Sequence, residues 1–288
     1  MTEIVSLPIE HWDQACSSQQ QDVAVQALEG GSVVLLPHLA FPLDDAERCF
    51  LDPQLADAGK NISLNPATGA LQGSRESLEP LRGMVERYAK CSATLLRQLL
   101  PGYLPTIQAG RTSFRPVEVE GRTTSWRKDD TRLHVDSFPS SPTQGRRILR
   151  LFTNVHPEGR PRTWRLGDSF ESVARHYLPS LHRPVWGTSA VLQALGITKS
   201  RRSAYDHFML QLHDQMKADA AYQAHAPQHT QQFAPGSSWL VYTDQVSHAA
   251  MAGQHLFEQT FYLPIDGMRD AATSPLRVLE RLLKRDLV

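Results

Sequence analysis

The stretch TRLHVDSFPSSP, residues 131–142, sets an imidazole and a carboxylate two positions apart, His134 and Asp136. In an extended chain alternate side chains share a face, so these two project together while Leu133 and Val135 point the other way. Side by side, the pair offers two ligands for a divalent metal. The strongest third ligand lies in PGSSWLVYTDQVSHAAMAGQHLFEQTFYLP, where an apolar strand, a short loop and a small-residue turn frame His248. Two His and one carboxylate on one face of an octahedral ion leave three positions open. That is the ligand set of non-haem Fe(II) oxygenases, which bind a bidentate 2-oxo acid together with dioxygen. A zinc hydrolase uses the same ligand types, but it keeps one open position and needs a nearby Glu or Asp as base.

Competing sites are weaker. His11 and Asp13 repeat the H-x-D spacing in EHWDQ, but they precede any sheet pattern. There is no H-E-x-x-H; Pro227 separates His225 from His229, and His207 and His213 fit no helical ligand pair. Each of these reads as a polar surface or satisfied interior histidine.

The ligands need rigid elements to hold them. GGSVVLLPHLAF (30–41) reads as a buried strand entering a turn. SRESLEPLRGMVERYAKCSATLLRQLLPGYLP reads as a helix with Ser74 near its start and Leu81, Met84, Tyr88, Leu95 and Leu99 at helical spacing, ended by Pro101-Gly102. From Thr106 the period shortens: TIQAGRTSFRPVEV, TRLHVDSF, RRILRLFTNVH and RTWRL are extended segments punctuated by Gly, Pro and Asp, as in an antiparallel sheet. Helical character returns over 168–226, followed by strand, turn and strand. One domain results, with a β-core at about 105–167 and 228–265, a helical insertion at about 168–227 and a C-terminal helix at about 274–288.

The 288 residues carry 30 Lys and Arg against 30 Asp and Glu, so the chain as a whole has no basic surplus to favour nucleic acid. The neutrality hides an asymmetry. Ten Lys and Arg face four acids between Arg122 and Arg165, a balance of +6, which points to an anionic ligand near the H-x-D motif. No basic start with an apolar core opens the chain and no run approaches a membrane span, so a soluble, cytoplasmic protein is expected. Cys16, Cys49 and Cys91 are too far apart for a C-x-x-C site and read as core fillers.

TSWRKDDTRLHVDSFPSSPTQGRRILRLFTNVHPEGRPRTWRLGDSF, joined to the His248 block, resembles the Kdo hydroxylase family, the Fe(II)/2-oxoglutarate-dependent 3-deoxy-D-manno-oct-2-ulosonic acid 3-hydroxylases. The resemblance covers most of the chain. It implies an α+β fold with a double-stranded β-helix (jelly-roll, cupin-like) core, N-terminal helices and a helical insertion. It also implies His134, Asp136 and His248 as iron ligands, and O2 and 2-oxoglutarate as cosubstrates, with ascorbate as reductant in vitro. The implied reaction hydroxylates C3 of a Kdo sugar in the lipid A inner core of a Gram-negative bacterium.

The wider superfamily often places an Arg about ten residues after the second His to bind the far carboxylate of the cosubstrate. Here that neighbourhood reads Glu258, Gln259, Thr260. On RRILRLFTNVH, Arg150, Phe152 and Asn154 share a face, so Arg150 is expected to clamp the carboxylate with Asn154, Gln259 or Thr260 nearby. Arg127, Lys128, Arg132, Ser137, Arg146 and Arg147 are expected to grip the anionic saccharide. Two other readings stay open: an oxygenase of another acidic sugar or small acid, and a metal-free β-helix binding module. In SPLRVLERLLKRDLV, Leu276, Leu279, Leu283 and Leu287 form an apolar stripe among Arg277, Arg281, Lys284 and Arg285. That helix either packs on the barrel or lies on the cytoplasmic face of the inner membrane, where a lipid A substrate would be met. Oligomeric state is left open.

Overall fold

The computed structural model describes residues 1–57, 61–75, 79–185 and 187–288. After β1 (Ile4–Ser6), Ser17 caps α1 (Ser18–Glu29): its side chain accepts from the Gln20 amide while the Gln20 side chain returns to the Ser17 amide. There follow β2 (Val33–Leu36), β3 (Ile62–Leu64), β4 (Leu71–Gln72) and α2 (Glu79–Leu99), whose Leu81, Met84, Val85, Tyr88, Leu95 and Leu99 are buried at helical spacing. Residues 76–78 lie outside the described set, and Ser74, expected near the helix start, instead bridges Ala56 in antiparallel fashion.

β5 (Gln108–Arg115), β6 (Arg147–Asn154) and β7 (Arg162–Leu166) come next. A helical stretch, α3 (Phe170–Tyr177), α4 (Thr188–Ala194), α5 (Ala204–Ala218) and α6 (Ala220–His225), then separates β7 from its partner β8 (His229–Phe233). β9 (Ser238–Tyr242), β10 (His248–Ala252), β11 (Leu256–Leu263) and α7 (Pro275–Leu283) complete the chain.

Two sheets form. The large one runs β1-β2-β9-β6-β11-β5-β3-β4 and the small one β10-β7-β8. The large sheet therefore takes four strands from the first hundred residues, ahead of the 105–167 stretch where the sequence reading begins the β-core. On its outer face Leu149, Leu151, Leu240, Tyr242 and Phe261 pack against Leu28 of α1 and Leu95 and Leu99 of α2. On its inner face Phe152, Trp239 and Val241 meet Trp164 and Leu166 of β7, Phe233 of β8 and Ala250 of β10. Phe233 and Trp239 stack between the sheets with centroids 3.9 Å apart. The mixed α+β architecture, with two sheets face to face that are antiparallel except for the β1–β2 pair, is consistent with the expected double-stranded β-helix core.

Two expectations change, and the alternative left open for the C-terminal helix is decided. TRLHVDSF is not a ladder strand; only His134 pairs, in a one-residue bridge to His248 with N–O distances of 3.0 and 2.9 Å. The Asp136 amide turns away to Thr243 O at 2.8 Å, and the Pro- and Ser-rich loop leaves the sheet there. The C-terminal leucines belong to the core: Leu276, Val278, Leu279 and Leu287 are buried against Phe170 and Val173 of α3 and Phe208 and Leu212 of α5. Helix α7 stops at Leu283, Lys284 takes a left-handed cap, and the tail folds back so that Leu287 O accepts from the Tyr205 amide. Cys49 is exposed and fills no core, whereas Cys16 and Cys91 are half-buried and pack against the core clusters. Among the described residues, no helix is long and apolar enough to cross a membrane.

Candidate active site

His134, Asp136 and His248 each present one ligand-type atom, all within 4.8 Å of one another, the one such group among the described residues. The His134–His248 bridge brings two segments 114 positions apart into register, and the two-residue step carries Asp136 to the same face. Each ring is oriented by its own backbone: His134 Nδ1 lies 2.7 Å from Arg132 O and His248 Nδ1 2.8 Å from Val246 O. A carbonyl can only accept, so Nδ1 carries the proton in both rings and Nε2 turns its lone pair into the site. His134 Nε2 is 3.7 Å from Asp136 Oδ1. Trp164 stacks on His248 at 5.1 Å and His213 meets His134 edge-on at 5.4 Å, which fixes both ring planes.

The electrostatics suit a cation. Burial lowers the pKa of both imidazoles, so both are neutral at pH 7, the form in which an imidazole can ligate a metal. Burial by itself would raise Asp136, but Arg150, His248 and His134 outweigh it and hold the carboxyl below its ordinary range. Asp136 Oδ2 sits 2.9 Å from Arg150 Nη2 yet has no well-directed hydrogen bond, an unsatisfied buried oxygen of the kind a bound ion would complete.

The group opens into a cavity of about 910 Å³ whose lining includes Arg111, Arg115, Lys128, Arg150 and Arg162 against Asp130 and Asp136. Phe152 and Trp164 supply its apolar wall. Strand parity builds this lining: Arg115 lies opposite Leu256, Glu258 opposite Phe152, and Thr260 opposite Arg150. Glu258 ties two of the cations together, 2.9 Å from Arg150 Nη1 and also paired with Arg115. Arg162 differs. It donates to Gly253 O at 2.7 Å, its Nε has no partner, and it forms no ion pair among the described residues. Burial together with Arg115 and Arg122 lowers it to about 9, so it remains a cation at neutral pH in want of an anion.

Of the residues expected from sequence, the cavity gathers His134, Asp136, His248, Arg150 and Lys128. Several others sit elsewhere. Arg147 is fully buried on the outer side of β6, committed to Asp244 at 2.7 Å and Gln245 at 2.6 Å, and does not line the cavity. Gln259 points to the outer face of β11, bonded to Thr112 Oγ1 and Gly110 O. Asn154 is consumed by Arg160 O and Phe233 O at the end of β6. Thr260 shares the inner face but donates to Glu258. Arg127 is exposed and paired with Asp214, Arg132 with Asp129 and Lys217 O, and Arg146 with Thr143 O and Gln108. Ser137 lines a separate small hollow beside Asp206. His11 and Asp13 are exposed in a turn. Arg111, Arg115 and Arg162 went unread, although Arg111 and Arg115 fall on one parity of β5, and Arg162 and Trp164 on one parity of β7.

The model of the 3-deoxy-D-manno-oct-2-ulosonic acid (Kdo) hydroxylase family matches residues 11–286. Among solved structures, the apo form of the Kdo hydroxylase KdoO, a non-heme Fe(II) alphaketoglutarate-dependent dioxygenase, is 47% identical with a TM-score of 0.97, over 100% of this chain and 98% of that one. Its complex with cobalt(II) gives the same values. Its complex with alphaketoglutarate and Fe(III) is 46% identical with a TM-score of 0.96 over the same shares. A comparison with curated proteins found no match.

Proposed function

The chain belongs to the Kdo hydroxylase family, and from that premise we propose that it acts, as a single oxygenase domain, on C3 of a Kdo residue in the lipid A inner core. The observation that carries the reading is the trio of His134, Asp136 and His248 turned onto a cavity lined by five cationic side chains. Bound by that trio, ferrous iron with 2-oxoglutarate and dioxygen supplies the oxidising chemistry that replaces C–H by C–OH, with the 2-oxo acid decarboxylated to succinate.

The chain's own residues do the rest. The backbone carbonyls behind His134 and His248 hold both rings in the tautomer that ligates. Arg150 neutralises and aims Asp136. Arg162, the buried cation without a carboxylate, takes the far carboxylate of the cosubstrate, a role the sequence suggested for Arg150. Lys128 and Arg111 face the saccharide's acid group, and Phe152 and Trp164 keep water from the reacting carbon. A substrate built on lipid A has its acyl chains in a bilayer, so the reading includes peripheral contact with the cytoplasmic face of the inner membrane.

Incubating the purified protein with Fe(II), ascorbate, 2-oxoglutarate and Kdo-containing lipid A tests this by mass spectrometry. The expected product gains one oxygen on the Kdo unit with stoichiometric succinate. Succinate formed only with another acidic sugar would keep the oxygenase and discard the substrate.

A further inference from the structure

We infer that the segment around α4, comprising residues 183–185 and 187–202, is a docking surface for an anionic lipid bilayer. Four of the seven large hydrophobic side chains exposed among the described residues fall within thirteen positions here: Val185 (77% exposed), Val191 (56%), Leu195 (68%) and Ile197 (53%). Exposed apolar residues scattered singly need no explanation, whereas a cluster on an otherwise covered molecule marks a contact surface. The charge around it selects the partner. Residues 181–203 contain Arg183, Lys199, Arg201 and Arg202 and no acid at all, in a chain of zero net charge. None of these four cations forms an ion pair among the described residues. Exposed apolar side chains carried on the same short segment as cations without counter-charges fit the boundary between acyl chains and anionic headgroups. A protein partner or second copy would have to bring several acids to this short apolar segment.

The surface is coupled to the site. The loop that leaves Asp136 reaches Pro139 and Ser140 within four residues, at most about 14 Å of chain. There Pro139 O accepts from Arg202 Nη2 at 2.7 Å and Ser140 O from the Lys199 amide at 2.9 Å. Gln144, further along the same loop, donates to Arg201 O. Lipid held at α4 is thus anchored to the loop that starts at a proposed iron ligand, as an enzyme taking a headgroup from a membrane requires. The C-terminal helix, the other candidate for this contact, has Leu276 and Leu279 buried and Leu283 half-buried against α3 and α5. The inference rests on the proposed lipid-borne substrate, but its test does not.

The measurement is co-sedimentation with vesicles of phosphatidylcholine containing phosphatidylglycerol, against vesicles of phosphatidylcholine alone. The full chain is expected to pellet with the anionic vesicles and to be released by salt. The double variant V191E/L195E should bind at least about tenfold more weakly at an unchanged melting temperature, and R183E/R201E should lose about fivefold per reversed charge. Both should keep 2-oxoglutarate turnover on a detergent-dispersed Kdo substrate. No pelleting of the wild type, or equal pelleting of both variants, overturns the inference. So does a wild-type dimer that V191E/L195E converts to monomers, because a second copy would then own the surface. Loss of turnover in the wild type on dispersed substrate would instead sink the enzymatic reading and leave the vesicle result standing.

Discussion

At the scale of single residues, the proposed roles separate the metal ligands from the cations around them. His248→Ala or Asp136→Ala should abolish iron binding and succinate formation while the chain stays folded, since His248 and Asp136 sit at a site and not in the packed core; isothermal titration with Fe(II) under anaerobic conditions reads the first effect directly. His11→Ala should change neither. The arginines divide differently. Arg162 has no ion-pair partner among the described residues, so Arg162→Ala should raise the 2-oxoglutarate KM about thirtyfold with iron still bound, the kinetic face of about 2 kcal/mol for a lost charge partner. Arg150 is tied to Asp136 and Glu258, each at 2.9 Å. Its removal leaves Asp136 uncompensated and should cost about 3 kcal/mol of stability, the low end for a buried pair because Glu258 keeps Arg115. An Arg162→Ala protein with unchanged KM, beside an Arg150→Ala protein whose KM climbs, would return the cosubstrate to Arg150.

At the scale of elements, the turn between β10 and β11 decides whether Arg162 is in place. Gly253 joins β10 to β11 at φ +119, and a Cβ there would stand 2.7 Å from Arg162 Cδ and 3.0 Å from Arg162 Cα. Gly253→Ala should therefore cost about 1–3 kcal/mol in backbone strain and, by displacing Arg162, raise the 2-oxoglutarate KM at a position that touches no ligand. A Gly253→Ala enzyme with wild-type KM would show that Arg162 is placed by something else. Helix α7 belongs to the α3–α5 cluster, so Leu279→Ala, at a fully buried position, should lose about 2–5 kcal/mol in urea unfolding. Strand parity was legible here: RRILRLFTNVH sets Arg150 and Phe152 on one face from alternation alone. What alternation does not disclose is which face meets which layer, and so Arg147, one step out of phase with Arg150, was assigned to substrate although it lies fully buried on the outer side.

At the scale of the whole molecule, buried histidines set the acid limit. Burial lowers His134 and His248, and burial with His156 brings His255 down to about 4. An unfolded chain protonates these rings near pH 6.5, so between about 6.5 and 4 the unfolded state binds more protons than the folded one, and stability rises with pH across that window. Asp136, held below its ordinary range, adds stability that is present above about 4 and lost below it. The urea midpoint should therefore fall steadily from pH 7 to pH 4.5, and His255→Gln should flatten part of the slope. A midpoint constant over that range, or one that rises on acidification, would contradict the burial of these rings.

From the residues alone came the H-x-D pair, the distant His248, the local surplus of arginine, the period-two strands and the helical stretch between β7 and β8. All of these are properties of local order or of composition, which a chain carries before it folds. Which arginine meets which carboxylate was decided by tertiary structure, because charge pairing depends on register between strands more than a hundred residues apart: Glu258 reaches Arg115 and Arg150 only once β11 lies between β5 and β6. The leucines of α7 followed the same rule. A leucine stripe predicts that some apolar surface will be covered, and only the packing of α3 and α5 determined that protein, not lipid, covers it.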